Sequence, residues 1–220
     1  MMASHRRHVK SHRDIIFSEP SHRDGVLAFR VGSGAIAVAY LQERSHELPA
    51  RSQPAEGGDA MSQSRVWSWD MPAEWDEGAA RALAAAFFNG VWDLMEQPER
   101  STDDDDRLVE AAHASRFLWG LVGAPTQWAT GEWLLSRAYS VVGRPEPALH
   151  HARRCEALTV DHGLDAFRLG FAYEALARAS GLAGEAAARE AYLARAWACA
   201  AQVAAADDRQ WLEENLAAMP

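Results

Sequence analysis

The sequence predicts an all-α fold, an antiparallel array of helix hairpins with about seven helices. Three observations predict it. From Pro72 onward apolar residues return at spacings of three and four, and no convincing strand follows residue 61. Capping residues, prolines and glycines divide that pattern into segments joined by short links, which make antiparallel neighbours. Side chains of one kind also recur 34 positions apart, as Leu135 and Leu169, Ser136 and Gly170, Tyr139 and Tyr173, and Ala114 and Ala148.

The first helix spans 73–97, with Trp75, Ala79, Leu83, Ala86, Phe87 and Val91 on its apolar stripe and Gln97-Pro98 at its end. Ser101 or Thr102 caps the second, 103–122, with Asp104 and Asp105 in the place of a capping-box acid and Gly123 as its stop. Next come 126–142, ending at Gly143; 145–161, with prolines in its first turn and Gly163 beyond; and 165–180, ending at Gly181 or Gly184. Helix 185–204 follows. The last, 208–218, has Asp207 as cap and Gln210 in the capping-box position.

Small residues allow two helix backbones to approach, and a large neighbour fills the gap beside them. The run Leu135-Ser136-x-x-Tyr139-x-x-x-Gly143, followed by Ala148, Ala152 and Cys155, and begun again at Leu169-Gly170-x-x-Tyr173, resembles the tetratricopeptide repeat. About nine extra residues precede the second helix of the later copy if Ala191 takes the place of Ala148. The resemblance covers roughly 110–204 and implies a superhelical scaffold that binds other proteins. The stretch 112–177 also resembles uncharacterised bacterial helical-repeat proteins.

Composition supports one folded domain, 73–220, behind a 61–72 linker. From residue 61 onward 14 basic residues face 24 acidic ones, a balance that argues against nucleic acid or anionic membranes as partners. No run of some twenty apolar residues is present. Cys155 and Cys199, the only cysteines, fall at small-residue helix positions and read as buried free thiols of a cytoplasmic protein. Residues 1–60 are of different character: five of the nine histidines (His5, His8, His12, His22, His46), the single lysine Lys10, and Ser-His-Arg-Asp twice. They read as a disordered tail or an upstream mis-annotated start with Met61 as the true one. Within them Val26–Val31 and Ala35–Leu41 flank a glycine pair as a weak hairpin.

On helix 126–142, Trp128, Leu135, Tyr139 and Val142 form a core stripe, while Trp133 and Arg137 lie opposite. In the tetratricopeptide arrangement that opposite face lines the concave side, continued by Phe167, Phe171 and Glu174. An arginine takes a carboxylate and the aromatics supply contact area, so these five residues are the expected partner-binding face. The alternative is that helix 73–97 folds over the face and makes Trp133 core.

A second group, His113, Arg116 and Trp119 with Glu132, would form a small-molecule or catalytic pocket if it converged, with Arg137 joining it. Otherwise Glu132 satisfies a buried His and Arg. His150, His151 and Cys155 lack the further ligands a zinc site needs. The acidic run Asp103–Asp106 suits a helix start better than a calcium loop. No P-loop, dinucleotide-binding glycine motif, nucleophile elbow or di-iron pairing is present, so no cofactor is implied and an enzyme is disfavoured. The expected function is a cytoplasmic module that binds a protein or peptide. The alternative is a small-molecule binder or enzyme built on His113, Arg116, Glu132 and Arg137. So short an array also predicts self-association to cover its apolar ends.

Overall fold

The computed structural model describes residues 75–219, which form seven α-helices and, among the described residues, no strand. In chain order these are α1 (Glu77–Met95), α2 (Thr102–Val122), α3 (Pro125–Val141), α4 (Pro145–Asp161), α5 (Ala166–Leu182), α6 (Ala186–Ala200) and α7 (Ala206–Ala217). The described residues thus form the all-α helix array that the periodicity predicts. The tail and hairpin expected in residues 1–60 and the 61–72 linker lie outside the described residues.

Local chemistry sets the helix ends. Asp76 caps α1 through the Ala79 N–H at 3.1 Å. Ser101 and Asp104 form the expected capping box on α2: Ser101 Oγ accepts the Asp104 N–H at 3.2 Å, and the Asp104 carboxylate accepts the Ser101 N–H at 3.0 Å. The other acidic residues of that run are helix-start charges, with Arg100 bonded to Asp105 at 2.8 Å. After α3, α4 and α5 the backbone turns through left-handed glycines, Gly143, Gly163 and Gly184 at φ 72°, 59° and 77°. The α7 start departs from expectation. Ala205 takes the cap position, Asp207 and Asp208 fall within the first turn, and the Gln210 amide donates forward to Glu214 at 2.8 Å.

Each helix packs on the next, and α1 with α3, α3 with α5, and α5 with α7 are also in contact. The even helices α2, α4 and α6 make no comparable contact with one another. Odd and even helices therefore form two layers. Because α3 touches α1, α2, α4 and α5, its stretch 131–136 is buried on every side, glutamate included.

The α1 stripe is rotated from the expected one. Ala80, Ala84, Phe88, Val91 and Trp92 are buried, whereas Leu83 and Phe87 are 52% and 39% exposed. Alanines and phenylalanines occur in adjacent pairs here, so periodicity alone leaves the face open by one residue. Burying the large Phe88 and Trp92 rings decides it.

The repeat also has a different length. Pro125 to Ala166 and Pro145 to Ala186 are each 41 positions, so α3–α4 and α5–α6 are hairpins offset by 41 residues. Leu135 then corresponds to Leu176, Arg137 to Arg178, Ala138 to Ala179 and Gly143 to Gly184. The 34-residue coincidences do not mark equivalent positions, because Leu135 is the eleventh residue of α3 and Leu169 the fourth of α5. Nor are there extra residues before α6, since Ala183, Gly184 and Glu185 alone link it to α5. In helices this rich in Ala and Leu several registers give matches. The helix starts and the left-handed glycines Gly143 and Gly184 fix the true one.

Cys155 and Cys199 are both free and buried. Among the described residues no helix is long and apolar enough to cross a membrane.

Candidate functional site

The expected contact face centres on one carboxylate. Glu174 of α5 is fully buried and accepts the Trp133 indole N–H from α3 at 3.0 Å. Arg178, one turn along α5, donates to its Oε1. Arg137 reaches the same oxygen from α3 at 3.7 Å, an ion pair too long for a hydrogen bond. Its guanidinium carbon lies 5.1 Å from the Trp92 ring centre and 5.6 Å from that of Trp133. Burial pulls the Arg137 pKa down to about 10, against the pull of Glu174 and with the push of Arg178, so the group stays cationic at neutral pH.

Two arginines at equivalent positions of successive hairpins thus share one carboxylate. Arg137 Nη1 and Arg178 Nε have no hydrogen-bond partner, although the side chains remain 19% and 20% exposed. The balance is one surplus positive charge at the edge of the odd-helix layer.

The five expected residues are brought together, but three are not surface. Trp133, Phe171 and Glu174 are buried, with Trp92 of α1 against Trp133 at 5.9 Å and Trp211 of α7 against Phe171 at 4.5 Å. For Trp133 the covering-helix alternative therefore holds. Phe167, half-buried, packs on Phe171 at 5.0 Å. The reachable part of the patch is Phe167 and the guanidinium edges.

The second group gathers on Glu132 of α3. Arg116 from α2 and Arg154 from α4 each donate Nε–H to its Oε1 at 3.0 Å, and His151 donates Nδ1–H to Oε2 at 2.7 Å. Burial alone would raise the Glu132 pKa. The His151 bond and the two arginines overcome it and hold the carboxyl at about 2. His113 Nε2 and Tyr139 Oη are 2.8 Å apart, and Tyr139 stacks on His151 with ring centres 5.6 Å apart. Burial, helped by the nearby His151, lowers the His113 pKa, so at neutral pH the ring is uncharged.

Of the expected pocket, His113, Arg116 and Glu132 come together. Trp119 does not join them: it is buried, and its carbonyl accepts the Trp128 indole N–H at 2.9 Å. Arg137 belongs to the Glu174 group instead. Cys155 forms no metal or thiolate pair with His151, which is committed to Glu132. Burial raises the Cys155 pKa, so the group is a thiol. Among the described residues no three His, Cys, Asp or Glu side chains assemble as a metal site would require.

Comparison with protein-family models, curated proteins and solved structures gives no match, so the functional reading rests on the geometry of these two clusters. Sequence reasoning missed Arg178 in the first cluster, and Tyr139, His151 and Arg154 in the second. The 41-residue hairpin offset was the signal for Arg178, which repeats Arg137.

Proposed function

We propose that the chain is a cytoplasmic interaction module that binds a protein or peptide at the edge of its odd-helix layer. Its alternating helices are tetratricopeptide-like, while its 41-residue hairpin offset exceeds the 34 residues of that repeat. The observation that carries the reading is the Arg137, Arg178 and Glu174 arrangement. One carboxylate, already accepting an indole N–H, cannot use all the donors of two guanidiniums or cancel both charges. A carboxylate on the partner would complete both, and the half-buried Phe167, about two helical turns along α5 from Glu174, offers apolar contact. The helical scaffold supplies rigidity, since both arginines are set by helix register rather than by loops.

The test uses defined peptides. The full chain is titrated with acidic fluorescent peptides carrying free carboxylates and with the same sequences as amides and glutamines. The expected result is binding to the acidic set that weakens roughly tenfold in Arg178→Gln, the loss of one charge-assisted contact. Equal affinity for the neutral set, or an Arg178→Gln chain that is folded by circular dichroism and binds unchanged, would end this reading.

A further inference from the structure

We propose that the seam between α2 and α4 is a second, separate binding site, for the tetrahedral oxyanion of a phosphate or phosphate monoester. Arg116 and Arg154 are its ligand-holding residues. The proposal does not depend on the interaction reading.

The seam arises from the layering. Both α2 and α4 pack on α3 without packing comparably on each other, so α3 floors the seam between them, which the His113 and His151 rings bridge edge-to-face with centres 5.6 Å apart. Glu132 stands on that floor, 3% exposed, and Arg116 and Arg154 reach it from opposite walls. Arg116 lies in a slot made for it. A Cβ at Gly131 would come within 2.4 Å of Arg116 Cδ, and one at Gly120 within 3.1 Å of its Nη1.

How the arginines are used points to a ligand. A guanidinium carries five N–H donors and meets a lone carboxylate best through a two-bond fork. Here each spends only Nε–H, both on the same oxygen, and no other hydrogen bond to either side chain occurs among the described residues. Glu132 thus works as a shared anchor that fixes two guanidiniums side by side with their terminal nitrogens free. Arg154 is 51% exposed and Arg116 18%, so both side chains reach the surface.

The charge sum of the two arginines and Glu132 is one positive, within a chain of net charge −9. Donors from two opposing walls suit an anion with oxygens in several directions. A planar carboxylate is already present as the anchor. His113 and Tyr139, bonded to each other at 2.8 Å in the same seam, place polar groups beside the opening.

Calorimetric titration of the full chain at neutral pH and fixed ionic strength tests this, with inorganic phosphate and ethyl phosphate as probes and chloride as control. The variants are Arg154→Gln and Arg153→Gln, the latter removing an exposed neighbouring charge outside the Glu132 group. Saturable phosphate binding is expected, weakened roughly tenfold in Arg154→Gln and unchanged in Arg153→Gln. Tighter binding of ethyl phosphate would assign the site to esters, and tighter inorganic phosphate to the free anion. No saturable binding by the unaltered chain, a chloride response of equal size, or equal losses in the two variants would overturn the proposal.

Discussion

Glu132 shows what a single buried carboxylate does when three donors converge on it. Its pKa falls from 4.5 to about 2 despite burial, which corresponds to on the order of 3 kcal/mol of stability. A depressed carboxyl stabilises the fold above its unfolded pKa, and that contribution is lost as pH falls through the folded value. Resistance of the unaltered chain to urea should therefore fall as pH drops from about 4.5 to about 2. Glu132→Gln should be less stable at neutral pH, with the gap closing across that window; a gap independent of pH would contradict the assignment. Gly131→Ala acts on the same contact, forcing Arg116 aside at 2.4 Å from Cδ and 3.3 Å from Cα. It should cost about 1 to 3 kcal/mol, read as a lower urea midpoint. The sequence located His113, Arg116 and Glu132 together because two share a helix side and the third lies on the next helix. Arg154 and His151 join through α4, and spacing along one helix carries no information about a neighbour.

Among the elements, α7 closes the odd layer. Trp211, Leu212 and Leu216 are buried, Trp211 lies 4.5 Å from Phe171, and the approach requires Gly170, where a Cβ would meet Leu212 Cδ2 at 2.4 Å. Trp211→Ala should destabilise by about 3 kcal/mol or more, with the urea midpoint falling and the slope unchanged. A loss below about 1 kcal/mol would show that α7 is not a structural cap. Helix existence and order were legible throughout because prolines, caps and left-handed glycines are local signals. Which face of α1 is buried was not. Adjacent Phe87 and Phe88 satisfy the same periodicity, and only the partners supplied by α2 and α3 choose between them.

For the molecule as a whole, contacts run mainly between sequence neighbours, so stability is distributed along the array and is lowest where a helix has few buried side chains. Helix α6 buries only Ala196, Cys199 and Ala200, whereas α3 buries eight of its 17 residues and α5 nine of its 17. Native-state hydrogen exchange should therefore be faster in α6 than in α3 and α5; uniform protection along these helices would mean a single cooperative unit instead. The two-layer plan follows from short links between amphipathic helices, which is why the class was readable. The hairpin offset was misread at 34 residues, in part because Leu and Ala, which make two of the four matching pairs, are abundant in these helices and match in several registers. The 41-residue offset is carried by a few turn residues such as Gly143 and Gly184.

The burial of both native thiols has a practical sequel. Cys155 and Cys199 are the chain's only cysteines, and burial raises the pKa of each. Maleimides, which react with accessible thiolates, should leave the native protein untouched. A cysteine introduced at the exposed Val160 position of α4 would then accept a fluorophore selectively while the original sulfur atoms stay in place.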